Sequence, residues 1–163
     1  MYDIELVNRI KDILISKNET LSIAESVTSG HLQAAVSLAD KASEFYQGGA
    51  TAYNLSQKAK LFHIDPVHAV SCNCVSSRVA AELAVGANNL FKSHWAVAIT
   101  GYAAPIPALG VNDLFAHWAV ARGHEVMKVD LITAKQDESI KVQLHYTHEV
   151  LKNFLALLEL TTQ

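Results

Sequence analysis

The chain is poor in residues that staple or break a fold. It has two cysteines, three prolines and seven glycines in 163 residues, and aromatics make up 7%. Two cysteines cannot supply the framework of a disulfide-stapled mini-protein. Cys72 and Cys74 stand two apart in SCNC, too close for an easy mutual bridge. His68 is their only neighbour of ligand type, so the ligand set of a metal centre is incomplete. They read as two small free thiols in a reducing compartment. Charge of one sign is scarce too. Thirteen Lys and Arg against 16 Asp and Glu leave a net charge of −3, with no basic footprint for nucleic acid and no charged tail. No apolar run reaches the ~20 residues of a membrane span. The opening segment, MYDIELVNRIKDILISKNET, scatters charges throughout and has no signal-peptide h-region, so a cytoplasmic location is expected.

What the chain does have is apolar mass. Half its residues are hydrophobic and 18% are charged, enough to bury a substantial core and to exclude intrinsic disorder. The length suits one domain, and no linker, repeat or low-complexity segment divides residues 1–163.

Apolar residues at helical spacing predict a helix over 3–16. TLSIA at 20–24 predicts a strand, followed by a helix to about Leu38 capped by Thr28 or Ser29. GGATAY at 48–53 reads as a second strand and 55–62 as a helix, with Pro66 beyond it. Residues 75–91 form an amphipathic helix capped by Ser76 or Ser77, with Val79, Leu83 and Leu90 on its apolar side. HWAVAIT at 94–100 is a buried strand. Residues 102–113 are a loop, and two strands joined at Gly123 follow. Asp137 or Ser139 starts a last helix whose Leu144, Val150, Leu151, Phe154, Leu155 and Leu158 face inward. Strands alternating with helices predict a three-layer α/β/α sandwich around a mixed, mostly parallel sheet.

Ligands in such sheets bind beyond the carboxyl ends of strands. Two segments have that character: Ala24-Glu25-Ser26-Val27-Thr28-Ser29-Gly30 and Ile99-Thr100-Gly101-Tyr102-Ala103-Ala104-Pro105. Small and hydroxyl residues there let main-chain N–H groups reach a ligand, although on local pattern alone plain helix capping is the more ordinary role of Ser26, Thr28 and Ser29. Tyr53 and Lys58 form a second pair. A lysine one turn into a helix can act as base to a serine when desolvation lowers its pKa, and can otherwise be a solvated surface residue. His145 and His148 lie one turn apart, but without a third ligand they read as surface residues.

Together these segments resemble the CinA C-terminal domain family, whose stand-alone members are nicotinamide-nucleotide amidases. Residues 24–30 resemble the family's A-E-S-C-T-G-G. Gly48-Gly49-Ala50-Thr51-Ala52-Tyr53 with Lys58 resembles G-G-x-x-x-Y-x-x-x-x-K. Val75-Ser76-Ser77-Arg78-Val79-Ala80 resembles V-S-x-x-V-A, and Thr100-Gly101-Tyr102-Ala103-Ala104-Pro105 resembles T-G-x-A-G-P. The resemblance implies hydrolysis of nicotinamide mononucleotide to nicotinic acid mononucleotide and ammonia, without cofactor or metal. It implies Ser26 as nucleophile and Lys58 as general base, with Tyr53 assisting. It places Thr28, Ser29, Gly30, Gly48, Gly49, Thr100 and Gly101 at the substrate, and Lys141 as the nearest match to a late family arginine. A nucleotide as small-molecule partner and a homodimer follow as expectations, with neither nucleic acid nor membrane as partner.

The departures bear on function. Val27 replaces the family's cysteine and Ser29 its first glycine. A-G-P-x-G-G becomes Ala103-Ala104-Pro105-Ile106-Pro107-Ala108, so side chains replace glycines that permit close backbone approach. Lysine at 141 lacks the bidentate fork of arginine. A loop stiffened this way predicts weak activity on nicotinamide mononucleotide. A catalytically weak or inactive paralogue, binding a nucleotide or a partner, is the alternative reading.

Overall fold

The centre of the structure, a computed structural model that describes residues 1–162, is strand β1 (Leu21–Glu25), buried at all five positions. It is enclosed because β2 (Tyr46–Thr51) and β3 (Trp95–Gly101) pair with it in parallel on either side. β4 (Leu114–Arg122) runs antiparallel to β3, and β5 (Glu125–Ala134) antiparallel to β4, giving the order β2-β1-β3-β4-β5. The sheet is therefore parallel over its first three strands and antiparallel over the hairpin, which turns at Gly123 with φ +59°.

The two faces of the sheet carry different side chains, as the period of two dictates. Trp95, Val97 and Ile99 of β3 point to one face, where α1 (Ile4–Ser16), α2 (His31–Ser37) and α6 (Ser139–Leu160) pack. Ala96 and Ala98 point to the other, with Ala119 and Ala121 of β4. Small side chains there let α5 (Ser77–Phe91) lie close to the sheet. The three-layer α/β/α architecture expected from the sequence is present. α6 buries the expected positions from Val150 to Leu158, and also Val142 and Tyr146.

Two local expectations are corrected and one element is added. Pro66 lies beyond the helix over 55–62, as expected, and also begins one: α4 (Pro66–Ser71) takes proline in its first turn, where the missing N–H is not needed, and Asp65 accepts from the amides of Val67 and His68. Leu90 is 45% exposed, and the buried positions of α5 fall instead at Ala84, Ala87 and Asn88, whose Nδ2 donates to the carbonyls of Ala121 and Gly123. α2 is capped by neither Thr28 nor Ser29, because it starts after Gly30 in a left-handed conformation. Among the described residues no helix is long and apolar enough to cross a membrane.

Candidate active site

Because β1 and β3 are parallel neighbours, their carboxyl ends open on the same side. Ser26 follows β1 directly, and Thr100 and Gly101 end β3. The chain leaves Ser26 through a tight turn in which Ser29 (φ +47°) and Gly30 (φ +107°) are both left-handed. Glu25, 1% exposed, holds this turn. Its carboxylate accepts from Thr28 Oγ1 at 2.5 Å, the Leu32 amide at 3.1 Å, the Gln33 amide at 3.1 Å and Gln33 Nε2 at 2.8 Å. A strand-end carboxylate thus does the capping expected of a serine or threonine, and its charge suits the positive end of α2. Thr28 is fully buried beneath the turn and Ser29 faces solvent.

Lys58 comes from α3 (Leu55–Phe62), which starts at Asn54 and puts the lysine one turn in. Its Nζ lies 2.9 Å from Ser26 Oγ and donates to the Tyr53 carbonyl at 3.2 Å. Lys58 is 2% exposed, and that burial lowers its pKa below the ordinary lysine value. Helix α3 is seated by Gly86 of α5: a Cβ there would stand 2.3 Å from the Phe62 carbonyl oxygen. The ring of Tyr53 lies at the rim, 72% exposed, so its contact with Lys58 is made by the main chain. Thr100 is buried, and its hydroxyl donates to the Cys74 carbonyl at 2.8 Å. That bond ties the end of β3 to the left-handed pair Asn73 and Cys74 (φ +50° and +60°).

Ser26, Tyr53, Lys58, Thr100 and Gly101 line one cleft of about 520 Å³. The other expected positions lie outside its lining. Gly48 rests against the Phe91 ring and Gly49 against the Ile23 carbonyl and Gln33, both as packing contacts at the sheet edge. Gly30 shapes the turn. Lys141 lines a separate hollow beside Thr133 and His145, and pairs with Asp137 and Glu138 at 3.2 Å each. The cleft also contains Asn73, Cys74, Ser139 and Gln143, which the sequence reading did not place at the site. Gln143 Nε2 donates to the Val27 carbonyl at 2.8 Å and so joins α6 to the turn that carries Ser26. Glu25 was also passed over, though an acid closing an apolar strand is a visible signal.

Cys72 and Cys74 are free thiols, and burial raises the pKa of Cys74. His145 and His148 are exposed, and His145 Nε2 meets the Thr133 carbonyl at 3.0 Å. Among the described residues no three His, Cys, Asp or Glu side chains stand together as metal ligands.

A sequence model of the CinA C-terminal domain matches residues 3–157. The chain is 36% identical over 96 residues to a CinA-like protein of Picosynechococcus sp., a match covering 59% of this chain and 23% of the relative. It is 39% identical over 94 residues to a CinA-like protein of Prochlorococcus marinus, covering 57% and 22%. It thus spans less than a quarter of the length of these curated relatives. Among solved structures, a competence-damaged protein (CinA) superfamily protein from Enterobacter cloacae superposes with a TM-score of 0.89 at 22% identity, over 97% of this chain and 94% of that one. A competence or damage-inducible protein from Enterobacter asburiae superposes at 0.88 and 23% identity, over 94% and 96%.

Proposed function

Since the chain belongs to the CinA C-terminal domain family, we propose that its Ser26–Lys58 cleft hydrolyses the carboxamide of nicotinamide mononucleotide or a close relative. The observation that carries this reading is the 2.9 Å contact between Ser26 Oγ and a lysine that is almost wholly buried. A buried amine favours its neutral form, and a neutral amine can take the hydroxyl proton. Its N–H bond to the Tyr53 carbonyl then fixes the direction of the lone pair.

In the first half-reaction Ser26 Oγ bonds to the carboxamide carbon while Lys58 receives the serine proton. The carbon–nitrogen bond breaks, and Lys58 returns that proton to the leaving nitrogen, which departs as ammonia. In the second half, water attacks the ester carbon while Lys58 takes its proton; the bond from that carbon to Ser26 Oγ then breaks, Lys58 returns the proton to Oγ, and the carboxylic acid is released. The tetrahedral oxyanion needs donors. In the turn, the amides of Ser29 and His31 serve the Ser26 and Thr28 carbonyls, and those of Leu32 and Gln33 serve Glu25. The amide of Val27, which follows the nucleophile and lines the cleft, takes part in none of these bonds and is the candidate donor. Tyr53 assists through its carbonyl, and its exposed ring is available to cover a bound pyridine.

The test is ammonia release from pyridine carboxamides, led by nicotinamide mononucleotide, by the purified chain. Turnover should vanish in Ser26→Ala and in Lys58→Met, with both variants folded by circular dichroism. Turnover that survives Ser26→Ala would overturn the assignment.

A further inference from the structure

Tyr102 stands at the position that the pattern T-G-x-A-G-P leaves open, and in this chain it is fixed at three points. Its amide donates to the Phe115 carbonyl at 2.9 Å, and its carbonyl accepts from the hydroxyl of the fully buried Tyr146 at 2.9 Å. Its ring meets that of Phe115 edge-on, with centroids 5.4 Å apart. The residue is 9% exposed and lines the cleft, and its hydroxyl accepts from Asn73 Nδ2 at 3.2 Å. Asn73 lines the cleft as well. That bond leaves two groups unused. Among the described residues no acceptor takes the hydroxyl proton of Tyr102, and Asn73 Oδ1 accepts from no donor. A buried donor without an acceptor costs free energy, which a ligand can recover by supplying one.

Strand register decides which part of a ligand meets this pair. Glu25 is in register with Ile99, so Ser26 and Thr100 stand level at the strand ends. Tyr102 follows Thr100 by two residues, and two residues of extended chain add about 7 Å. The period of two puts it on the side of Thr100, where Phe115 alternates with Ala119 and Ala121 and α5 packs. A carboxamide held at Ser26 and Lys58 therefore leaves the far part of its molecule beside Tyr102. There a donor and an acceptor stand side by side. A hydroxyl group both gives and takes a hydrogen bond, so it matches the two together. The carbons of a pyridine ring do neither, and a phosphate offers acceptors alone. We infer that Tyr102 Oη, with Asn73 Oδ1 beside it, binds a hydroxyl of the substrate's ribose and makes Tyr102 a specificity-determining residue for riboside carboxamides. The inference rests on the amidase reading for the position of the carboxamide.

The experiment measures ammonia release from nicotinamide mononucleotide and from its 2′-deoxy and 3′-deoxy forms, by the wild-type chain and by Tyr102→Phe. The wild-type chain should turn over one deoxy form with kcat/KM about tenfold below the parent compound, a gap of about 1.4 kcal/mol, which is the net worth of one hydrogen bond. Tyr102→Phe should lose about the same factor on the parent, through KM, and change that deoxy form less than about twofold, because the two removals delete one contact. A tyrosine that merely supports the loop would lower all three compounds alike, and that result overturns the inference. So does a Tyr102→Phe chain that treats all three as the wild type does, or a wild-type chain that distinguishes neither deoxy form. In each of these cases the amidase reading stands. Should Tyr102→Phe fail to fold, Asn73→Gly, which suits the left-handed backbone there, takes its place with the same outcomes. Should no compound release ammonia, the amidase reading fails, and calorimetric binding of the same three compounds decides by the same pattern. Absence of binding then overturns the inference.

Discussion

Gly86→Ala tests whether the packing of α3 on α5 sets the geometry of the cleft. The new methyl would stand 2.3 Å from the Phe62 carbonyl oxygen and 2.8 Å from Phe62 Cα and Cβ. Reaching even 3.0 Å from that oxygen requires about 0.7 Å of separation between the helices. Two of these three atoms are main chain, so no side-chain rotation relieves the contact. Overpacking of this kind costs about 3 kcal/mol, at the upper end of the usual range. Helix propensity returns about 1 kcal/mol, because alanine replaces glycine in a helix interior. The net loss of about 2 kcal/mol should lower the melting temperature by roughly 4–8 °C in a chain of this size.

Lys58 lies one turn before Phe62 on the same helix, so it moves with it. A shift approaching 1 Å at a reacting centre costs up to about 100-fold, and a loss of about 10- to 100-fold in kcat/KM is expected. Leu14→Ala, in the core on the opposite face of the sheet, is the control. It should destabilise by about 2–5 kcal/mol and leave kcat/KM within about twofold at a temperature where it is folded. Thermal unfolding by circular dichroism and initial rates of ammonia release are the assays. A Gly86→Ala protein that melts within about 1 °C of wild type, or melts lower with wild-type kcat/KM, refutes the reasoning.

Activity should rise with pH through the pKa of Lys58, which burial places below 10.5, because the neutral amine is the base. Stability should rise over the same interval, from that lowered pKa up to 10.5, since there the unfolded chain holds the proton that the folded chain has released. A pH–rate profile flat on its acid side would contradict the first statement, and Lys58→Met should remove that contribution to the second. Ser29→Gly should stabilise by about 1 kcal/mol in denaturant unfolding, because Ser29 is exposed and held at φ +47°. No gain would mean that the turn carries no strain. Glu25→Ala should cost about 3 kcal/mol by the same measurement, because four donors lose their acceptor, and Glu25→Gln should cost less.

The alternation of strands and helices was legible because each element is bounded by a turn residue or a cap and keeps its own period. Ser26, Tyr53, Lys58 and Thr100 were legible because they follow strand ends or open a helix. The rest required long-range geometry. Gln143 lies 116 residues from its Val27 partner, and nothing local marks that contact. Lys141 shares a helix with Gln143, but two residues along a helix turn a side chain about 200° away, toward another hollow. Asn73 and Cys74 enter the cleft because the chain turns left-handed there, which asparagine tolerates and a cysteine does not announce. The preceding helix α4 was hidden because proline can open a helix as readily as follow one.

The parallel placement of β1 has a consequence for synthesis. Its partner in β3 begins at Trp95, 74 residues after Leu21 (95 − 21), and its β2 partner must cross over through α2. Among the described residues the only tight-turn hairpin of the sheet is its last pair of strands, and β4 joins β3 across a longer loop. At about 5–20 residues per second, Leu21, Ser22, Ile23 and Ala24 wait roughly 4–15 s on the ribosome before β3 can cover their second edge. During that interval an apolar strand with an open edge is available to other nascent chains. Slowing elongation between residues 60 and 95 should therefore increase aggregation of the nascent protein, while slowing it beyond residue 101 should not.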